Sequence, residues 1–333
     1  MRSGIAAFAV ACTAVIAVST RIAGASECAG NVSPCINDDI LWPHAGPSNF
    51  QAVGGSETVA ARQLGFGLQA SYLSRPIVLE LVSPGGGSQA YAVKDQGNAT
   101  FLWAYGVTPR LELDLALPLT VGQGGTGLAP VTGGPGLDDT AVRDMRFGFT
   151  YALARGARRK RTAPYETWGL AARFEVSAPT GDRDQFAGER SGVFVPSVAA
   201  DGRVGRFFCA LEAGARIRPI TDLLGARVGT QLVGELGAGL DLLADGRLSV
   251  ALEAWALPTL PTQSGAPGAG PLVPAEWQLS LRTSPLASRE LSLQLGGGGA
   301  LDDSLTTPQV RFTLSIRWTP SAHPTAAETT PTP

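Results

Sequence analysis

Histidine is scarce in this sequence: only His44 and His323 occur among 333 residues. Hydrolytic enzymes that use a histidine base beside a serine or an aspartate need that histidine next to the reacting groups. His44 precedes the first regularly patterned segment, and His323 lies in a tail rich in Pro and Thr. We therefore predict that the protein is not an enzyme.

The sequence has no large excess of positive or negative charge. It also has no group of residues with the spacing of a metal-binding motif. The formal net charge is −2 at pH 7, which offers no basic surface to a nucleic acid. No cluster of His, Cys, Asp or Glu has metal-ligand spacing, and glycine runs such as 296–299 match no phosphate-binding loop. The sequence predicts no nucleic-acid partner, no metal and no cofactor.

Long apolar runs are lacking after the first 25 residues. Arg2 precedes an apolar run over residues 4–19 and a small-x-small site at 23–25, the pattern of a secretory signal. The alternative, a membrane-anchoring helix, needs about 20 apolar residues, and Arg21 interrupts the run too early. We expect residues 1–25 to be cleaved from an exported chain.

Only four cysteines occur, and Cys12 lies in the predicted signal. Cys28 and Cys35 sit close together in the exported segment, so an oxidising compartment favours a disulfide between them. Cys209 falls inside a strand-like segment without an obvious partner, and we interpret it as a small apolar side chain.

The sequence is rich in strict alternation of apolar and polar residues. In "RLELDLALPLTV", residues 110–121, leucine occupies every second position from Leu111 to Leu119. Such alternation is typical of strands with one apolar face. It recurs in twelve segments, near residues 63–73, 98–107, 111–121, 143–154, 166–178, 192–203, 206–217, 227–241, 246–257, 275–283, 289–299 and 308–318.

The lengths of these segments and of their connections favour a membrane barrel. Most segments have about ten to thirteen residues, whereas a globular strand has about five to six and a tilted membrane-crossing strand about 9–11. Connections alternate between long, as at 122–140 and 258–274, and short, as at 108–110 and 242–246; only 155–166 breaks the rule. We predict an all-β fold, a transmembrane antiparallel up-and-down β-barrel of about 12 strands (10 or 14 remain open), with short periplasmic turns and long extracellular loops.

The two faces of the strands carry different residues. One face is apolar, and the other holds charges among Gly, Ser, Thr and Gln. A soluble β-sandwich, the alternative, would leave its charged face in open solvent, whereas equal numbers of acids and bases favour a closed lumen in which they pair. The predicted lumen-lining residues, which would line any pore, are Glu112, Asp114, Arg146, Arg173, Glu175, Glu212, Arg216, Glu235, Glu253, Arg282, Arg311 and Arg317.

These patterns divide the chain into four parts. We predict a signal peptide over 1–25, a periplasmic N-terminal segment or plug over 26–62, the barrel over 63–318 and a disordered Pro/Thr tail over 319–333. Aromatic residues, including Trp42 just before the barrel, are predicted to lie at the membrane interfaces.

These features resemble Gram-negative outer-membrane barrels, in particular the barrel part of OmpA-family and phenol-degradation (meta-pathway) transporter-like proteins. The similarity rests on residues 101–125, 173–186 and 307–320. It implies insertion by the barrel-assembly machinery, which reads an assembly signal in the last strand. The residues that would form this signal are Phe312, Leu314, Ile316 and Trp318.

The leading functional interpretation is a channel or transporter that passes small solutes across the outer membrane. Twelve strands are intermediate between a filled eight-stranded barrel and an open porin of 16–18 strands. The alternative is a non-conducting, OmpA-like structural or interaction barrel that supports the cell envelope. The expected partners are outer-membrane lipid and lipopolysaccharide, the barrel-assembly machinery and a small solute.

Overall fold

The computed structural model describes Cys28 and residues 32–81, 87–158, 166–243, 246–261, 271–286 and 290–320. The predicted signal peptide and most of the predicted tail lie outside these residues. Residues 159–165, in the middle of the long connection at 155–166, also lie outside them.

Strands make up most of the described chain. They are β1 (Leu64–Leu81), β2 (Ser88–Gly106), β3 (Leu111–Gly124), β4 (Ala141–Val142), β5 (Arg146–Arg158), β6 (Glu166–Ser177), β7 (Val193–Val204), β8 (Phe207–Arg216), β9 (Thr221–Leu223), β10 (Ala226–Val228), β11 (Gln231–Asp241), β12 (Leu248–Ala256), β13 (Ala275–Thr283), β14 (Leu291–Ala300) and β15 (Val310–Trp318). A short helix, α1 (Ala129–Thr132), and a 3-10 turn at Arg183–Gln185 lie in the connections. Within the described ranges, no helix has the length and apolarity to cross a membrane.

The twelve long strands form one closed antiparallel barrel. The ring closes where β1 pairs with β15, from Phe66 opposite Trp318 to Ser74 opposite Val310. An open sheet edge in hydrocarbon would leave backbone N–H and C=O groups unpaired, at several kcal/mol each. Closure is therefore the arrangement that a bilayer requires. The predicted fold class and strand number are confirmed.

The apolar side chains of the alternating pattern point away from the barrel interior. Leu295, Phe312 and Leu236 are 61%, 56% and 56% exposed, whereas the polar Gln294 and Arg311 are 4% and 0% exposed. In a soluble sandwich the apolar face would be the buried one. The exposed apolar band is therefore the lipid-facing surface, and the polar residues face the lumen.

The first hairpin is longer than the sequence predicted. β1 and β2 contain 18 and 19 residues, more than the 9–11 that cross a bilayer, and only residues 82–87 separate them. The strands continue because Ile77, Leu79 and Val93 keep apolar side chains on the inward face, where all three are buried. The hairpin extends the barrel wall beyond the membrane.

The connections alternate in length as predicted. β2 joins β3 through 107–110 and β7 joins β8 through 205–206, whereas 125–145 separate β3 from β5 and 178–192 separate β6 from β7. In outer-membrane barrels the short turns are periplasmic and the long loops extracellular. The short-turn end of this barrel is therefore its periplasmic end.

Replacing Leu279 by arginine is expected to impair folding into a membrane. Leu279 lies in the middle of β13 and is 51% exposed on the lipid-facing surface. A charge at the bilayer midplane costs about 2–4 kcal/mol, so the folded fraction in urea should fall, as measured by heat-modifiable gel mobility in lipid vesicles. Leu279→Met is the matched control and should behave like the wild type. Equal losses from both variants would contradict lipid contact at this position.

Candidate functional site

The lumen of the barrel is occupied by the chain that precedes β1. Residues 32–59, called the plug from here on, run from the extracellular end to the periplasmic end. Val32 pairs with Leu223 in an extracellular loop, and Val59 donates its backbone N–H to Glu112 near the first periplasmic turn. The sequence predicted either a periplasmic segment or a plug, and the structure places these residues inside the barrel.

The extracellular end of the plug is held by a disulfide and an apolar cluster. Cys28 and Cys35 form a disulfide, with Cα atoms 5.7 Å apart. Ile36 is fully buried among apolar side chains of the first hairpin and of the loops, namely Ile77, Leu79, Ala92, Val93, Leu128, Phe186, Leu223 and Val228. Burying a large aliphatic side chain stabilises the fold by about 1.5–3 kcal/mol. This cluster fills the extracellular mouth of the lumen.

Next to this cluster, two aspartates of the plug meet two arginines, Arg143 in the connection between β4 and β5 and Arg311 in the wall. Asp38 lies 2.7 Å from Arg143, and Asp39 lies 2.9 Å from Arg311. Arg311 is fully buried and also holds Glu276 through two bonds of 2.6 and 2.9 Å. Burial raises the pKa of Asp38 to about 6, against the attraction of Arg143. Burial also acts to raise the pKa of Asp39, but Arg311 and Arg143 outweigh it and hold that pKa below its ordinary value.

Trp42 lies between two arginines of the wall. The guanidinium groups of Arg216 and Arg146 lie 4.1 and 4.8 Å from the ring centre, within the range of cation–π attraction. Arg216 also donates to the carbonyl of Ile40 at 2.8 Å, and Arg146 to that of Pro43 at 3.3 Å. The prediction that Trp42 lies at the membrane interface is wrong, because the chain around it enters the lumen and leaves the indole 7% exposed.

His44 lies among carboxylates of the wall. Its Nε2 is 3.2 Å from Oε2 of Glu212, and its Nδ1 is 3.8 Å from Oε2 of Glu175. Ser197 donates to Glu212 at 2.5 Å. In a serine hydrolase the nucleophilic serine is hydrogen-bonded to the histidine that acts as its base. Here Ser197 is hydrogen-bonded to Glu212 instead of to His44. The sequence could not show this position of His44, because no strand pattern surrounds it.

The periplasmic half of the plug is held through its backbone. The carboxylate of Glu253 accepts the N–H groups of Gln51 at 2.9 Å and Ala52 at 2.8 Å. Glu212 accepts the N–H of Gly54 at 2.9 Å. Hydrogen bonds to an ionised acceptor are roughly twice as strong as neutral ones. Because these contacts use backbone atoms, the wall recognises the path of the plug here rather than its side chains.

All twelve predicted lumen-lining residues lie on the inward face, where they are buried or half-buried. Glu235 stands directly opposite Glu212 in the register of β11 and β8. Four further lumen-lining residues make these contacts: Asp114 with Thr150 (3.1 Å), Arg173 with Glu212 (3.7 Å), Arg282 with Asn49, and Arg317 with the carbonyl of Phe50 (3.2 Å). In this conformation the wall charges face the plug and one another.

The predicted assembly-signal residues lie on the opposite face of β15. Phe312, Leu314, Ile316 and Trp318 are 40–56% exposed on the lipid-facing surface. Trp318 stacks on Phe66 of β1, with ring centres 6.0 Å apart. The last aromatic residue therefore lies at the seam where the barrel closes.

Sequence reasoning missed several residues of the lumen. Glu276 is fully buried, and its alternation with Gln278 and Ser280 on β13 was a usable signal. Asp38 and Asp39 had no such signal, because a segment without periodic patterning reveals neither its path nor its partners.

Little space remains between the plug and the described wall. A cavity of about 20 Å³ lies beside His44 and Glu212, which is enough for one water molecule. A larger cavity of about 260 Å³ is lined by Ser56, Arg155 and Asp201, among others, towards the periplasmic end. The wider of these two cavities lies where the plug approaches the periplasm.

Neither a family model nor a curated protein matches the chain. Its structure is similar to the COG4313 outer membrane channel from Pseudomonas putida F1, with a TM-score of 0.54 and 15% identity over 82% of this chain and 99% of that one. Weaker similarity joins it to the P. putida toluene transporter TodX (TM-score 0.41, 10% identity, 79% and 92% covered). Outer membrane phospholipase A from Escherichia coli is also similar (TM-score 0.36, 10% identity, 78% and 94% covered).

The fold defines the class of this protein as a transmembrane β-barrel of the outer-membrane type. The COG4313 structure is that of an outer-membrane channel, and a transporter and a phospholipase are among the more weakly similar structures. At these identities the similarity shows the fold alone.

Proposed function

We propose that this protein is an outer-membrane channel or transporter for small solutes, whose lumen is closed by the plug. The pairing of wall charges with a separate segment of the chain carries the proposal. Arg146, Arg216 and Glu253 all bond to atoms of the plug. The side chains of a small barrel fill its own lumen. Here a segment outside the barrel strands fills it, and that segment can leave without breaking a pair of barrel strands.

The width of the lumen supports the same proposal. The barrel admits a polypeptide together with the side chains of Trp42, His44 and Phe50, all of which lie inside it. A solute no wider than a peptide would therefore fit once the plug is displaced. Twelve strands are also intermediate between filled barrels and open porins.

The plug can leave the lumen in steps, each of which breaks only a few contacts with the wall. Hydrogen bonds between the plug and charged groups of the wall can be exchanged for bonds to water, at a net cost of about 1.5–3 kcal/mol each. The cavity of about 260 Å³ near Ser56 reduces the contacts that must be broken at the periplasmic end. We therefore place the first opening there, with the disulfide-linked extracellular end released last.

The proposal includes an outer-membrane location after cleavage of the signal peptide. It includes contact with outer-membrane lipid and lipopolysaccharide, and insertion by the barrel-assembly machinery. The exposed apolar band and the lipid-facing residues of β15 support these partners. The resemblance to OmpA-family and phenol-degradation transporter-like barrels belongs to the same proposal and rests on the quoted sequence segments.

A non-conducting structural barrel is the second candidate. The observation that favours it is the anchoring of the extracellular end of the plug, where Cys28 and Cys35 form a disulfide and Ile36 is fully buried. A permanently retained plug would make the lumen a packed core. The two candidates therefore differ in whether removal of the plug reveals a pore.

Deletion of residues 28–58 is expected to convert a nearly silent barrel into a conducting one. The deletion removes both cysteines of the disulfide and leaves all twelve barrel strands. Planar-bilayer recordings should show steady open steps for the deletion variant and rare, small openings for the full chain. Heat-modifiable gel mobility establishes that each protein is folded before it is recorded.

A synthetic, oxidised peptide of residues 28–59 should close the deletion channel, and a peptide of scrambled order serves as its control. Silence from a deletion variant that is folded by gel mobility would favour the structural barrel over the channel. Equal, large steps from the full chain and the variant would contradict closure by the plug.

A further inference from the structure

Three potential metal ligands meet inside the lumen. Ligand atoms of His44, Glu212 and Glu235 all lie within 4.8 Å of one another. The histidine belongs to the plug, and the two glutamates stand opposite each other on β8 and β11. Like charges placed directly opposite on neighbouring strands are destabilising, so this arrangement requires positive charge between the carboxylates.

Three polar atoms at this point lack hydrogen-bond partners among the described residues, whereas Glu212 accepts hydrogen bonds from Gly54 and Ser197. Glu235 is only 8% exposed, yet its Oε2 has no hydrogen-bond partner there, and neither has either ring nitrogen of His44. Nε2 of His44 approaches Oε2 of Glu212 to 3.2 Å without the alignment of a hydrogen bond. Two ligands at about 2.1 Å from one tetrahedral zinc ion lie about 3.4 Å apart. The spacing thus suits two ligands of one ion.

The charged groups around these three ligands include more carboxylates than arginines. The ionic groups that interact around Glu212, Arg173, Arg216 and Glu235 are four arginines and six carboxylates: Arg146, Arg173, Arg216, Arg218, Glu112, Asp114, Glu175, Glu212, Glu235 and Glu253. With all acids ionised and His44 neutral, this group carries two more negative than positive charges. A divalent cation would neutralise it.

We propose that His44, Glu212 and Glu235 form a binding site for a divalent transition-metal ion of the zinc type. Zinc binds both imidazole nitrogen and carboxylate oxygen, whereas calcium and magnesium prefer oxygen ligands alone. A cavity of about 20 Å³, lined by two of the three ligands, His44 and Glu212, has room for one water molecule. The sequence predicted no metal site, because these ligands are too far apart along the chain to form a motif.

The ion would join the plug to the wall, since one ligand comes from the plug and two come from the wall. The metal site does not require that the protein conducts solutes, because a metal ion can bind between the wall and the plug whether the plug is permanent or movable. Metal binding therefore tests this inference independently of the proposed function.

Untagged, folded full-length protein in detergent, stripped with a chelator and then dialysed against excess Zn²⁺, tests the site. Mass spectrometry of the metal content should find one ion per wild-type chain after free metal is removed. Glu235→Gln and His44→Gln should bind zinc about 100-fold more weakly or worse, since even the loss of a group that only orients a metal ligand costs 10–100-fold in affinity. His323→Gln replaces the other histidine of the chain and should bind like the wild type.

Cobalt offers a second measurement on the wild type alone, in case a variant fails to fold. Co²⁺ in place of zinc should give the visible absorption of a four-coordinate site and should lose it when zinc is added. Folded wild type that retains no zinc would overturn the inference and indicate that protons neutralise the cluster. Retention of one ion by both His44→Gln and Glu235→Gln would overturn it as well.

Discussion

A chain that ends at residue 307 is expected to fail completely to insert into the outer membrane. The truncation removes β15, whose backbone pairs with both β1 and β14. Those two strands would then present unpaired N–H and C=O groups to hydrocarbon, at several kcal/mol for each group. The truncation also removes Arg311, and with it the cation that holds Glu276 and Asp39.

Membrane fractionation and heat-modifiable gel mobility measure this outcome. A chain that ends at residue 320 is the matched control, because it keeps β15 and every described strand pair; it should insert as the full chain does. A 1–307 chain that inserted and migrated as a compact folded species would contradict closure of the barrel by β15.

Arg311→Met is expected to lower the free energy of unfolding by about 3–5 kcal/mol, the cost of removing one partner from a buried ion pair. Arg311 is fully buried and binds Glu276 on β13 and Asp39 in the plug. Methionine keeps an unbranched apolar stem but leaves two buried carboxylates without their cation. Urea titration in lipid vesicles, followed by gel mobility, gives the difference.

Arg317→Met is the control on the same strand. Arg317 is also buried, at 4% exposure, and attracts Glu253, but it donates its hydrogen bond to the carbonyl of Phe50 rather than to a carboxylate. Its loss should cost about 1.5–3 kcal/mol, the range for hydrogen bonds to charged groups. The double variant Glu276→Gln/Arg311→Met should recover part of the loss. Equal destabilisation by the two arginine substitutions, without recovery in the double variant, would show that the Arg311 ion pairs do not control stability.

The plug is retained by two physically different kinds of contact. At the extracellular mouth, Ile36 and the disulfide between Cys28 and Cys35 fix it through apolar burial and covalent constraint. Deeper in the lumen, Glu253 and Arg216 hold it through hydrogen bonds. Only the second kind can be exchanged for water at little cost, because water replaces hydrogen bonds but not apolar burial.

The sequence by itself indicated the barrel, a strand number of about twelve, and which face of each strand is apolar. Alternation is a local property, and residues two apart along a strand share a face wherever the strand lies. Leu111 to Leu119 and Val310 to Trp318 therefore revealed their faces without any knowledge of neighbouring strands. The disulfide partners were also close enough in sequence to be predicted together.

Only the tertiary structure decided what fills the lumen. The plug has no periodic pattern, and its contacts join residues far apart along the chain, such as Phe50 to Arg317 and Gln51 to Glu253. The sequence showed that Glu212 and Glu235 face inward, but not that His44 would meet them. Which side chains of a strand share a face follows from residues close together in the sequence. The path of an irregular segment is instead set by residues far away in the sequence that fold around it.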